Sequence, residues 1–531
     1  MENLETVIGL LFIITLLAVF SDKVHIPFPI LLVIVGICAS LVPGLPIIEL
    51  TPEIVFLVFL PPLLYASAWG TSWHDFKRSK RPILLLAIGC VLFTTTGVAF
   101  AAHYLIPGFT WPLSFLLGAI ISPPDAVAAT SVIQKLGINK RVVTILEGES
   151  LVNDASGLIA YKYALAAVFT GNFVLWKAGV QFVWVAFGGV ATGFVLGMLM
   201  VVLHKRIKKN TMVNIVLTFL TPFIGYLLAE RFHLSGVLAV VTSGLFLTYK
   251  SSEIFSHDTR MQAVAVWQTV IFILNGVVFI LMGLQLKSII EGIRGYSFGE
   301  MLWYGFVISA VTIVVRLIWV FPGAYIPRLY SRKIREREPD TSWKSVLLVG
   351  WTGMRGVVSL AAALALPLMI SDAEAFPQRD LLLFLTFSVI FFTLIVQGLS
   401  LPFLIKWIKY PKEVDHKLHE ITIRQELASA AIEHIEENIS LDVIGEETLN
   451  QIKRKYEMRI NNLNSQMSSS LDRSANELFL QFTSIQKRLI GVERDLLVNM
   501  RKKGGYDDEI LRKLEYELDL EDARLSLDLR L

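Results

Sequence analysis

The chain has 531 residues, 54% hydrophobic and 18% charged, with a mean hydropathy of +0.60. Soluble globular chains carry about 25% charged residues, so an ordinary soluble protein is excluded for most of the length. A net charge of +3 is too small to argue for nucleic acid. Cys38 and Cys90 both sit in apolar runs without metal-ligand spacing and read as packing residues.

The start, Met1-Glu2-Asn3-Leu4-Glu5, lacks the positive region of a cleaved signal peptide, so the first apolar run is expected to remain as a helix. A spanning helix needs about 20 mostly apolar residues. That length predicts thirteen spans, near 4–20, 27–43, 53–68, 82–105, 112–134, 142–168, 176–203, 212–230, 234–249, 263–286, 300–327, 344–370 and 380–407. Residues 1–410 thus form a membrane domain of an all-α polytopic protein, and 411–531 a helical cytoplasmic tail rich in Glu, Lys, Arg and Leu. Gly445 and Gly504-Gly505 should divide the tail into several helices. Dimer contact, regulation and a solvated appendage are all open roles for it.

Basic residues alternate between the connections. One side carries Lys23, Lys77 to Arg81, Lys135/Lys140/Arg141, His204 to Lys209, Lys250/Arg260 and Arg328 to Arg337. The other carries only Arg231, Lys287, Arg294 and Arg379. The richer side is cytoplasmic by the positive-inside rule, which puts the N-terminus outside and the tail inside.

A charge at the bilayer centre costs roughly 2.5–3.5 kcal/mol on insertion scales, so each polar group at that depth calls for a reason. The fifth span holds Ser122-Pro123-Pro124-Asp125. Two prolines remove amide donors and push the residues before them out of helical geometry. Asp125 would then cap a half-helix or lie beside its positive end. The sixth span opens with Glu147-Gly148-Glu149-Ser150-Leu151-Val152-Asn153-Asp154. Helical spacing of four relates Glu149 to Asn153 and Ser150 to Asp154, predicting one oxygen-rich face suited to a dehydrated hard cation. Acidic residues also suit a helix N-terminus, which explains Glu147 but not Asp154, well inside the apolar run.

Arg316, in the eleventh span, cannot lose its charge and needs a buried carboxylate, for which Glu149 is the candidate. Lys162 either snorkels to an interface or sits beside a carboxylate. The twelfth span is weakened at Gly350-Trp351-Thr352-Gly353-Met354-Arg355-Gly356. Breaks in the fifth and twelfth spans fall at corresponding places if spans two to seven and eight to thirteen are inverted repeats of six helices.

Pro124-Asp125-Ala126-Val127-Ala128, Gly148-Glu149-Ser150 with Asn153-Asp154-Ala155, and Gly353-Met354-Arg355-Gly356 occur in the order and spacing of a known family. Over about residues 5–410 the chain resembles the family-one monovalent cation/proton antiporters, NhaP-type proteins and animal sodium/proton exchangers included. The resemblance implies thirteen spans, a homodimer, and two unwound helices that cross near the site. It implies that Asp154 carries cation and proton in turn, that Ser150 and Asp125 contribute to the cation site, and that Asn153 completes an Asn-Asp pair associated with electroneutral exchange. Glu149 and Arg316 would form a structural ion pair, with Pro123, Pro124, Gly353 and Arg355 supporting the unwound segments. The chain departs from the pattern at Ala66, where an acidic residue is frequent, and at Pro124, where threonine is frequent.

The expected activity is electroneutral exchange of sodium, or lithium, for protons, with no cofactor and no enzymatic step. The partners are then the transported ions, membrane lipid and a second copy of the chain. Potassium/proton exchange is the nearest alternative. A transport-inactive sensor would let the ion-site residues decay, yet Asp125, Ser150, Asn153, Asp154 and Arg316 are all present.

Overall fold

The computed structural model describes residues 2–24, 27–42, 55–126, 129–130, 133, 138–171, 175–207, 210–293, 295–337, 342–371, 374–410, 415–438, 446–468, 473–503 and 508–529. Two compact units are present, Met1–Pro411 and Lys412–Leu531.

The first unit is helical nearly throughout, and local chemistry sets where the helices begin. Asn210, Ser235 and Ser256 accept the backbone N–H of Val213, Leu238 and Thr259 at 3.1, 3.2 and 3.2 Å. Ser297 and Glu300 form a reciprocal capping box at the head of Phe298–Tyr330. Each satisfies amides that the first turn of a helix leaves without partners. Wide π turns, Val55–Phe59 and Leu85–Cys90, precede the helices Leu60–Gly70 and Val91–Leu105. At the first, Pro61 and Pro62 have no amide to give back to the preceding turn, and the backbone widens there.

The helices pack along one another in neighbouring pairs. Phe28–Ser40 runs along His257–Gly292, and Gly236–Ile254 along both Leu175–Arg206 and Leu60–Gly70. Val91–Leu105 and Lys140–Thr170 run along Trp111–Ile121, and Phe298–Tyr330 along Arg379–Trp407. In the first pair Gly36 and Gly283 face each other, and a Cβ on Gly36 would lie 3.0 Å from the Gly283 Cα. Small residues let helix backbones approach where no hydrophobic effect drives association.

The outer surface is apolar. Trp184, Phe187 and Val195 on Leu175–Arg206, and Trp303 and Phe306 on Phe298–Tyr330, are exposed. Patches of this extent are foreign to a water-facing monomer and natural against lipid. Among the described residues six helices have the length and composition to cross a bilayer: Lys80–Leu105, Gly179–Arg206, Thr211–Arg231, His257–Gly292, Phe298–Tyr330 and Arg379–Trp407. Other apolar helices, such as Phe28–Ser40 and Trp111–Ile121, are shorter.

The all-α expectation needs one amendment, because Met369–Ser371 and Glu374–Ala375 form a short antiparallel pair. Cys90 is buried, but Cys38 is exposed on its helix rather than packed in a core. The ends of the second and third expected spans, at 43 and 53, lie outside the described residues, as do Gly445 and Gly504-Gly505.

The second unit comprises the helices Asp415–Asn438, Glu446–Ser468, Arg473–Lys503 and Asp508–Leu529. Gln425 donates to Asn464 at 2.6 Å, tying the first two together. Arg494 reaches Asp519 at 2.7 Å and Asp522 at 3.3 Å, tying the last two.

Candidate cation site

The helix Trp111–Ile121 stops where Pro123 and Pro124 withhold their amides, and residues 122–125 are not helical. The helix Trp343–Trp351 likewise stops, residues 353–356 are extended or irregular, and Val357–Leu364 restarts the span. The two unwound segments meet. The Asp125 N–H donates to the Met354 carbonyl at 2.6 Å. Gly356 lies so close to Asp125 that any Cβ there would overlap its carboxylate.

Each broken helix exposes carbonyls at its C-terminal end, where the partial charge is negative. A buried arginine meets each one. Arg355, fully buried, donates through Nε to the Ile121 carbonyl at 3.0 Å and through Nη1 to the Gly353 carbonyl. Its own N–H donates to Thr393 Oγ1 at 3.2 Å. Arg316, 1% exposed, donates to the carbonyls of Gly350 at 3.2 Å and Val349 at 3.0 Å. The rest of its guanidinium grips Glu149 through both oxygens, at 2.5 and 2.8 Å. Such bidentate pairing gives the buried charge a fixed partner.

The oxygen-rich face read from helical spacing divides in two. Ser150 and Asp154 line a cavity of about 60 Å³ with Asp125 and Pro123. Glu149 and Asn153 are absent from that lining, since successive residues are turned by about 100° on a helix. Glu149 is committed to Arg316, and Asn153 donates to the Pro124 carbonyl at 2.6 Å. Asn153 therefore braces the unwound segment, while the Ser150 hydroxyl accepts the Ala126 N–H at 3.4 Å. Asp154 is 6% exposed and Asp125 half-buried. The volume has room for a few waters or one partly hydrated small cation.

Other polar groups line the cavity that sequence reading passed over. Asn275 comes from His257–Gly292, Ser67 from Leu60–Gly70 and Ser359 from Val357–Leu364. An amide amid the apolar run Ile271 to Phe279 was a usable signal for Asn275. Ser359 gave none, because a lone hydroxyl in an apolar helix ordinarily bonds its own backbone. Ala66 is absent from the lining, although its neighbour Ser67 is present. Lys162 takes the second of its two expected positions, with Nζ 2.9 Å from a Glu230 oxygen.

Among the described residues no group of three His, Cys, Asp or Glu side chains could hold a metal ion. The arrangement suits transient binding of a small cation: few oxygens, a buried carboxylate, and two interrupted helices held open at membrane depth. Interrupted apolar helices of this kind are a feature of secondary transporters.

The chain belongs to the sodium/hydrogen exchanger family, whose transmembrane model matches residues 8–407. It is thus a multi-pass membrane antiporter of a family of transporters rather than enzymes. It is 32% identical over 558 residues to an uncharacterized Na(+)/H(+) exchanger, YjcE, of Escherichia coli (strain K12), with 99% of both chains covered. It is 31% identical to the sodium, potassium, lithium and rubidium/H(+) antiporter of Bacillus subtilis (strain 168), covering 92% of this chain and 73% of the relative. In fold it resembles the sodium proton antiporter MjNhaP1 from Methanocaldococcus jannaschii, with a TM-score of 0.58 and 21% identity over 74% of this chain and 99% of the other.

Proposed function

We propose that the protein exchanges sodium, and lithium, for protons across the cell membrane without net charge movement, the two ions competing for Asp154. The observation that carries this reading is the buried Asp154 carboxylate in a cavity shared with Ser150 and Asp125, directly beside both helix breaks. A carboxylate without its water shell is stabilised by either a proton or a cation, and one site cannot hold both. Moving the bare anion through a low-dielectric barrier is costly, which suppresses leak and couples the two fluxes. Glu149 is neutralised by Arg316 and Asn153 is uncharged, which leaves Asp154 and Asp125 as the ionisable groups of the cavity, and exchange at Asp154 alone moves one proton per cation.

Asn153 contributes through the Pro124 carbonyl, holding the unwound segment against the helix that carries Asp154. Pro123, Pro124, Gly353 and Arg355 keep the two breaks open. No resident cofactor is required.

The wider architecture belongs to the same proposal. Residues 1–410 would carry thirteen spans in two inverted repeats, and 411–531 a cytoplasmic tail, with the N-terminus outside. The alternation of basic clusters supports that orientation. The working unit would be a homodimer serving pH homeostasis.

Potassium/proton exchange is the second reading. Its support is the departure at Ala66 and Pro124 from residues frequent in the family, which removes possible ligands, and potassium gives up its water at less cost than sodium or lithium. The breadth of ions in the name of the Bacillus subtilis relative points the same way.

Liposomes holding a pH dye and an imposed proton gradient separate the possibilities. Dye recovery on adding sodium or lithium, unaffected by clamping the voltage and lost in Asp154→Asn, is the expected result. Recovery with potassium alone would replace the substrate and keep the mechanism. Absence of proton movement with every cation, in a well-folded preparation, would overturn the antiport reading.

A further inference from the structure

Many of the hydroxyl groups buried in these helices turn back on their own backbone. Ser309 donates to the Gly305 carbonyl at 2.6 Å, Thr312 to Ile308 at 2.7 Å, Thr386 to Leu382 at 2.8 Å and Thr393 to Val389 at 2.8 Å. That bond to the carbonyl four residues earlier is the ordinary resting place of Ser and Thr in an apolar helix.

Ser359 has no such resting place. The carbonyl four residues before it belongs to Arg355, in the unwound segment where helical geometry has not yet begun. Its side-chain oxygen is buried with no hydrogen-bond partner, and the residue is 1% exposed. The same residue lines the cavity that holds Asp154, Ser150 and Asp125. Ser114 also lacks a partner, but it is not part of that lining.

A buried hydroxyl left unsatisfied is rare in a folded protein and asks for a partner that comes and goes. The cavity has room for a water or a small cation there, and beside a carboxylate a hydroxyl oxygen offers lone pairs to a hard ion. We infer that Ser359 is a further cation ligand, supplied by the second half of the broken helix, and that it tunes the preference among monovalent cations. This inference rests on the reading of Asp154 as the exchanged carboxylate, and it adds a ligand from a separate span.

Selectivity follows from size. Lithium and sodium hold their water more tightly than potassium does, so an oxygen missing from the site leaves them with more dehydration cost uncompensated. Loss of the Ser359 oxygen should therefore penalise the smaller ions more.

The test uses the full-length protein in liposomes, with KM and kcat for lithium, sodium and potassium taken from dye-recovery rates. Ser359→Ala is expected to raise the KM for lithium and sodium by about tenfold, the loss of one good ligand, with a smaller rise for potassium and kcat little changed. Ser359→Thr, which keeps the oxygen, should return KM toward wild type. Ser359→Cys, nearly isosteric but with a soft sulfur, should behave like Ser359→Ala and preserves the packing if alanine does not. A readout independent of transport is the rise in melting temperature on adding lithium or sodium chloride to detergent-solubilised protein, which Ser359→Ala and Ser359→Cys should both diminish. If KM is unmoved for all three ions in the Ala and Cys variants, or if only kcat falls and equally for each ion, Ser359 is a packing residue and the inference is overturned. In those cases loss of transport in Asp154→Asn leaves the site reading standing. Persistent transport in Asp154→Asn would instead bring down the site reading itself.

Discussion

Arg316 shows how one residue can serve two ends. It compensates the Glu149 carboxylate and also takes up the carbonyls of Val349 and Gly350, released where the twelfth span unwinds. Removing one partner of a buried pair leaves an uncompensated charge, typically at a cost of roughly 3–5 kcal/mol. Arg316→Met is therefore expected to lower the melting temperature of the solubilised protein sharply. The double variant Glu149→Gln/Arg316→Met should recover most of that loss, since neither charge is then stranded. Scanning fluorimetry on both would decide the matter. Equal instability of single and double variants would show that carbonyl capping, rather than charge pairing, is what the guanidinium supplies.

At the scale of the element, the site depends on two helices that stop and restart within touching distance. Gly356 opens the second half of its span beside Asp125, and a single added methyl would overlap that carboxylate. Gly356→Ala should displace Asp125 and reduce exchange by at least about tenfold, since sub-ångström placement of binding groups governs rate. Unfolding should change far less than transport. Gly70→Ala is the control, because a Cβ at Gly70 has nothing within 4 Å. Comparable transport in the two variants would remove the close approach from the account.

For the whole molecule, the alternation of basic connections predicts sidedness that chemical labelling can read. With Cys38 and Cys90 replaced by alanine, Ser297→Cys should react with a membrane-impermeant maleimide added to intact cells. Ser252→Cys, next to the basic Lys250 connection, should react only after the membrane is opened. Both positions are exposed. The reverse pattern would invert the proposed orientation and leave the helix packing unchanged.

How much of this was legible beforehand depends on the range of the interaction. Composition and apolar run length were enough for a polytopic membrane chain, because lipid demands long helices whose backbone is satisfied internally. The breaks at Pro123-Pro124 and at Gly353 to Gly356 were legible for a local reason: prolines lack donors and glycines weaken a helix. The ionisable residues at membrane depth announced themselves by cost alone. Which way each one faces was another matter. Helical spacing put Glu149, Ser150, Asn153 and Asp154 together; the pairing of Glu149 with Arg316 was expected, but the Pro124 carbonyl drew Asn153 away from the cavity as well. Those partners lie 167 and 29 residues off along the chain. Ser359 and Asn275 entered the cavity wall for the same reason, through packing between spans remote in sequence. The sequence by itself determined that there is a membrane transporter with interrupted helices, since local backbone chemistry and burial cost suffice for that. Tertiary structure alone decided which oxygens share one cavity, because the facing of a helix is set by the neighbours it packs against.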